Sequence, residues 1–285
     1  MTVCVGVAVN DCLVFAADSA STLVETDAAT GQSRVLNVYR HGNKVFNLHK
    51  RLPISAMTCG MGNVGPASIG ALAKELRVRF SSNETDWRID PTNYIMEEVA
   101  RKARMFLFEE CYQSLQPPPA APHSLEFWLG GYGSDRKAGH EAWKIEIVNG
   151  QCANPQPFLQ NGSTGIMVGG QNEPINRLLR GIGTDAIGAL VRGGMDQMAA
   201  EQVTQHLSDN LEVVLLAPTM PVQDAIELAT FLTELTTQFY RFHPGADIVG
   251  GETDVAVVSR HEGFKWIKRK HYYPAHLNPL ETGHA

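Results

Sequence analysis

Thr2, Asp18 and Lys44 are the residues whose types and positions could do chemistry together. Thr2 stands directly after Met1, and a residue this small normally permits removal of the initiator methionine. The product would carry a hydroxyl and a free α-amine on one residue, a nucleophile with its own base. An α-amine titrates near pH ~8, so a large fraction is neutral at cytosolic pH and able to accept the hydroxyl proton. By position alone this is far more often an ordinary chain start, since many proteins begin Met-Thr. Asp18 ends the apolar run 13–17, where a carboxylate is unfavourable unless a cation or hydrogen-bond donors meet it. Lys44, in GNKVFNL, opens an apolar strand and is the candidate cation. A buried Asp-Lys pair beside the Thr2 hydroxyl would favour alkoxide formation. Taken singly, each is more often a strand-end charge in solvent.

The elements that must position these groups follow from periodicity. Val3, Val5, Val7 and Val9 alternate with Thr2, Cys4, Gly6 and Ala8, Asn10-Asp11 supplies turn chemistry, and CLVFAAD resumes an apolar strand, which predicts a hairpin. A three-residue turn over Asn10, Asp11 and Cys12 sets Val9 opposite Leu13 and Thr2 opposite Ala20, with Thr2 and Asp18 on one face. A two-residue turn puts them on opposite faces. The polar stretch 25–33 reads as a loop, and strands follow at 34–40, 43–48 and 53–60. Past GMGNVG at 60–65, helical spacing appears over 69–78 and 95–108, and the Pro-rich 116–122 reads as a stiff connection. Strands are expected at 125–132, 142–148 and ending at Gly169-Gly170, helices near 172–182, 185–207 and 221–240, and a closing strand pair at 254–259 and 264–267. Antiparallel strands interrupted by helix pairs predict a layered α+β domain, not alternating βαβ units.

A chain of 285 residues that is 44% hydrophobic carries a real core, which excludes disorder over most of its length. With 24 Lys and Arg against 30 Asp and Glu the net charge is -6, so there is no electrostatic footprint for nucleic acid. Five cysteines with no CxxC pair read as small buried hydrophobes in a reducing compartment. No signal-peptide pattern and no 18-residue apolar run is present, so no membrane partner is expected and the chain reads as cytoplasmic and soluble. No HExxH or carboxylate cluster points to a metal, and His271 and His276 lie in a Pro-broken tail. That tail, from Lys268, is basic and reads as a peripheral arm or an oligomer contact.

Thr2 with TVCVGVAVNDCLVFAADSAST, then NKVFNL, then MTCGMGNVG opening a helix, resembles the β-type subunits of the proteasome, and among them the bacterial homologues of the HslV and Anbu type. The order of elements continues to GGETDVAVVSRHEGF, so the resemblance covers most of residues 2–267. It implies a four-layer αββα sandwich of the N-terminal nucleophile hydrolases over 1–267, with 268–285 as a C-terminal extension. It implies Thr2 as nucleophile, Asp18 and Lys44 as its paired carboxylate and lysine, and Thr22 as a hydrogen-bonding partner of the substrate backbone. Gly62 matches the glycine whose N–H serves as oxyanion donor, and a glycine there independently lets a backbone amide approach a substrate. By the same alignment Ser21, Gly42, Phe46, Gly60 and Val64 would line an uncharged specificity pocket tolerant of apolar side chains.

The sequence departs from the family at three places. The arginine expected shortly after the aspartate is absent from Ser19-Ala20-Ser21, and Gly170 stands at the serine that supports the terminal amine. Before the last strand, Ala246 and Val249 occupy the family's aspartate and serine positions, leaving Asp247 as a substitute if the loop is shifted. These changes bear on proton relay and rate. What the resemblance implies is a threonine-type peptidase acting without a cofactor on peptides or unfolded proteins. It further implies a homo-oligomeric ring or helical stack, with an ATP-dependent unfoldase as a conceivable partner. Only Met1 would need removal. The alternatives are a non-catalytic ring or scaffold subunit and an N-terminal nucleophile amidase acting on a small amide.

Overall fold

The computed structural model describes residues 2–26, 33–119 and 122–270. The chain begins with β1 (Val3–Val9), β2 (Cys12–Ala17), β3 (Ser21–Thr26), β4 (Ser33–Tyr39), β5 (Val45–Asn47), β6 (Ile54–Gly60), and the short β7 (Asn63–Val64) and β8 (Ala67–Ser68). Helices α1 (Ile69–Phe80) and α2 (Met96–Arg104) follow, the latter running on as a π-helix over Met105–Tyr112. Then come β9 (Ser124–Tyr132), β10 (His140–Val148), β11 (Gln151–Cys152), β12 (Gln156–Leu159) and β13 (Gly165–Gly170). Helices α3 (Glu173–Arg180), α4 (Ala186–Arg192), α5 (Gln197–Leu211) and α6 (Val222–Phe242) precede the closing β14 (Asp254–Ser259) and β15 (Gly263–Lys268).

Two large sheets and the two-stranded β3–β4 and β7–β8 ribbons result among the described residues, a mixed α/β architecture in which every pairing is antiparallel. One large sheet has the order β13-β1-β2-β14-β15, the other β11-β10-β9-β6-β5 with β12 paired to β10. Strand alternation sorts the side chains into separate apolar clusters. Val3, Val5, Val7 and Val9 of β1 pack with Ala225, Ala229 and Leu232 of α6. The opposite face of that sheet sends Cys4, Leu13 and Phe15 against Met57 and Trp128 of the second sheet. The far face of the second sheet, including Ile54, Phe127 and Ile145, meets Leu72 and Leu76 of α1 and Val99 of α2. Burying side chains the size of Leu13 and Phe15 stabilises the fold by about 1.5–3 kcal/mol each. The sheets approach so closely that a Cβ on Gly130 would stand 2.3 Å from the Leu13 side chain, so a larger residue there would force Leu13 and Phe15 to move.

The first hairpin differs from the expected register. Its turn is Asn10-Asp11 alone, with Val9 opposite Cys12, Gly6 opposite Phe15 and Cys4 opposite Ala17. Both strands are buried on both faces, so polar alternation cannot select the register. Volume does: the large Phe15 and Leu13 stand opposite Gly6 and Ala8 on the face shared with the second sheet. The stretch 25–33, expected as a loop, is strand at its two edges, with β3 extending to Thr26 and β4 beginning at Ser33; residues 27–32 lie outside the described residues. The helix expected over 185–207 is two helices. Gly194 adopts φ +97° after α4, and α5 restarts on Asp196, whose side chain accepts the Ala199 N–H at 3.1 Å.

Candidate active site

β1 emerges from the sheet with Thr2 at its start, and the chain around Thr2 is fixed by its neighbours. The Thr2 carbonyl accepts the Gln171 N–H at 2.7 Å, just past the end of β13. Gly170, in the left-handed region at φ +74°, lies so close that a Cβ there would stand 2.0 Å from the same carbonyl oxygen. A serine cannot occupy this position without moving Thr2, so the sequence's departure at Gly170 has a steric reason.

β2 delivers Asp18 one residue beyond its end, opposite Val3. The Asp18 side chain has 0% exposure and accepts four hydrogen bonds. Oδ1 takes the Val3 N–H at 3.0 Å and Lys44 Nζ at 2.6 Å, and Oδ2 takes the N–H groups of Ala20 and Gly250, both at 3.0 Å. A buried carboxylate needs such a shell to keep its charge. Lys44 precedes β5, is itself buried, and reaches the cleft wall as well as Asp18. Thr2 and Asp18 therefore do not share a face, contrary to the three-residue-turn expectation; Lys44, bonded to Asp18, lines the cleft together with Thr2.

The cleft has a volume of about 290 Å³, and Thr2, Lys44, Ser21, Thr22, Gly42, Gly60 and Gly62 all lie on its wall. Among the described residues, the Gly62 N–H has no intramolecular acceptor, while its carbonyl accepts the Ile69 N–H at 3.0 Å. Ser68 caps α1 by accepting the Ala71 N–H at 3.1 Å, and Ser68, Ile69 and Gly70 bring the N-terminus of that helix to the cleft. The positive end of the helix dipole favours negative charge developing nearby. Cys59 also reaches the wall. Behind it Cys4 is fully buried, with its Sγ donating to the Thr58 carbonyl at 3.2 Å. Burial first, and then the Cys59 thiol, push Cys4 well above the ordinary thiol range, so it stays protonated and is no rival nucleophile.

Three expected positions lie elsewhere. Phe46 and Val64 are packed in the core with α1 and do not line the cleft, because their strands turn these side chains toward the helix. Asp247 pairs with Arg40 at 2.6 Å in a partly exposed bridge and is off the cleft wall. The actual wall is more polar than expected, with His41, Asn43 and Ser68 on it. The HGNK run and the serine heading an apolar helix were the available signals for these residues.

The tail does not start as a peripheral arm. Lys270 is buried; its N–H donates to Asp254 Oδ1 at 3.1 Å, and its ammonium meets Asp254 Oδ2 and, at 2.6 Å, Ser19 Oγ. Continuing the β14–β15 pairing past Val255 opposite Lys268 leads to this contact, a signal already present in the strand pattern. His271 and His276 lie outside the described residues.

No family model matches the sequence, and no curated protein matches it. The fold is similar to that of an Anbu (Gly-1) mutant from Hyphomicrobium sp. strain MC1, at 15% identity and a TM-score of 0.52 over 95% of this chain and 86% of that one. It is likewise similar to the Anbu complex from Pseudomonas aeruginosa, solved as a helical assembly, at 14% identity and a TM-score of 0.51 over 95% and 88% of the two chains. At such identities the likeness is one of fold.

Proposed function

We propose that this chain is a threonine-type amide hydrolase of a proteasome-like, self-assembling peptidase, acting on peptides or unfolded protein. The observation that carries the reading is the buried Asp18–Lys44 pair at 2.6 Å, with Lys44 and Thr2 on the wall of one cleft. The apolar clusters on either side of the two sheets and between them support reading the fold as the αββα sandwich of N-terminal nucleophile hydrolases.

In this reading Met1 is removed and the new α-amine of Thr2 takes the proton from Oγ as Oγ attacks the peptide carbonyl. The Lys44 ammonium, held by Asp18, stabilises negative charge on the threonine oxygen. The Gly62 N–H donates to the carbonyl oxygen as it becomes an oxyanion, aided by the α1 N-terminus. The amine returns its proton to the leaving nitrogen, the C–N bond breaks, and an ester on Thr2 remains. Water, deprotonated by the same amine, hydrolyses the ester and restores Thr2. Ser21, Thr22 and Gly60 would contact the substrate. The chain assembles with copies of itself, a property supported by the fold likeness to a protein solved as a helical assembly.

A second reading, a scaffold subunit without activity, is favoured by one observation: Asp247 is engaged by Arg40 and is unavailable as a relay group. One experiment separates the two. Intact-mass spectrometry before and after incubation with a peptide epoxyketone should show loss of Met1 and a single adduct on Thr2, absent from Thr2→Ala and Lys44→Ala. A processed Thr2 that takes no adduct would leave the scaffold reading standing.

A further inference from the structure

Directly beneath the Asp18 loop lies a second buried ion pair, between Lys270 and Asp254, which the chemistry above does not use. Ser19 joins it to the first pair. The Ser19 hydroxyl accepts from Lys270 Nζ at 2.6 Å and donates to the Glu252 carbonyl. The Ser19 N–H donates to the Gly250 carbonyl at 2.9 Å, and the Ser19 carbonyl accepts the Gly42 N–H at 2.8 Å. Ser19 therefore ties together the loop that supplies the Gly250 N–H to Asp18 and the segment that leads into Lys44. Ser19, Asp254 and Lys270 are all buried, and none lines the cleft. A serine hydroxyl beside a lysine has the makings of a nucleophile, but here no substrate reaches it.

We propose that Lys270 is a positioning residue: through Ser19 it fixes the Asp18 carboxylate and its lysine, so that the segment after the last strand sets the geometry at Thr2. Without the ammonium, Asp254 is left buried with no cation and the Ser19 hydroxyl loses its donor. That hydroxyl no longer has a fixed orientation toward the Glu252 carbonyl, the 250–252 loop loosens, and the Gly250 N–H leaves Asp18 Oδ2. A carboxylate short of one of its four donors turns, and Lys44 moves with it. The structural part of this chain of effects stands by itself, whereas its kinetic part rests on Thr2 being the nucleophile.

The test uses the full chain and two variants, Lys270→Met/Asp254→Asn and Ser19→Ala. The second leaves the ion pair whole and cuts only its link to Asp18, so it decides the matter if the first variant does not fold. Peptide-resolved amide exchange should quicken on the order of 10-fold at the segments holding Ala20 and Gly250, with β1 and β2 interiors unchanged. The maximal rate of epoxyketone addition at Thr2 should fall on the order of 10-fold or more while the half-saturating inhibitor concentration holds, since misplacement, not binding, is at fault. Wild-type exchange and addition in a folded Ser19→Ala protein would overturn the proposal. An unreactive wild-type Thr2 would instead sink the hydrolase reading, and the exchange comparison would still decide the role of Lys270.

Discussion

Replacing Lys44 by alanine and replacing Asp18 by alanine break the same ion pair, yet the structure assigns them unequal costs. Lys44→Ala leaves a carboxylate with 0% exposure that still accepts the N–H groups of Val3, Ala20 and Gly250. Breaking a buried pair from one side costs about 3–5 kcal/mol, and three remaining donors place this case at the lower end. Asp18→Ala strands those three amides and the Lys44 ammonium together. At about 1–3 kcal/mol for each buried donor without a partner, the three amides together cost about 3–9 kcal/mol, which matches or exceeds the lysine deletion before the stranded ammonium is added. The Asp18 variant should therefore lose at least ~2 kcal/mol more than the Lys44 variant. With melting points shifting ~2–4 °C per kcal/mol in a domain of this size, that is a gap of ~4–8 °C. Circular-dichroism melts at one fixed protein concentration read the difference, and epoxyketone addition to Thr2 should be lost in both. Equal melting points, or a Lys44→Ala protein that reacts at the wild-type rate, would refute the picture of a shared carboxylate held by four donors.

Installing serine at Gly170 places a side chain on a left-handed backbone against the Thr2 carbonyl. It should cost about 1–3 kcal/mol and slow addition at Thr2, and faster addition with an unchanged melt would show that the glycine is dispensable. Burial holds His140 and His49 below the ordinary imidazole range, with Arg51 adding to the effect at His49. The unfolded chain then takes up protons first as pH falls. Stability should be flat above about pH 6.5 and decline below it, and His49→Asn/His140→Gln should flatten that slope in melts between pH 7.5 and 5. Ser68→Ala removes the α1 cap and should lower stability by about 1 kcal/mol in denaturant titrations; no change would mean that the cap bond is not formed in solution.

Asp18 and Lys44 were legible in the sequence because a charge at the end of an apolar strand demands a partner, and the two demands meet each other at 2.6 Å. The strand and helix order was legible for a similar reason, since the valines of β1 form one row against α6 and the helical spacing of Ile69, Leu72 and Leu76 buries one face of α1. Asp254 and Lys270 raise the same demand, but the lysine sits in a Lys-Arg-Lys run that reads as a solvated face. Only the strand pairing carries it inward. The cleft wall was half legible: the glycines and Thr22 reach it, whereas Phe46 and Val64 do not, because facing is decided by strand direction against α1, which a list of aligned positions does not contain.

The hairpin register shows what a period-two reading omits. Counting apolar alternation treats Gly6 and Ala8 as gaps between valines, and with both faces buried, polarity favours neither turn length. Side-chain volume does discriminate. Pairing Phe15 with Gly6 and Leu13 with Ala8 places two large residues beside two small ones on the face toward the second sheet, where Gly130 again makes room for both. The three-residue turn would set Leu13 and Phe15 opposite Val9 and Val7. The same choice sets Asp18 opposite Val3, where its Oδ1 can take the Val3 N–H together with Lys44. In the proposed mechanism Asp18 then acts on Thr2 through the backbone and the lysine without touching it. Gly6→Val, which leaves the site residues untouched, tests this coupling. It should lower the melting point through the clash with Met167 and Phe15 and reduce addition at Thr2, while a folded variant with unaltered reactivity would separate the register from the site.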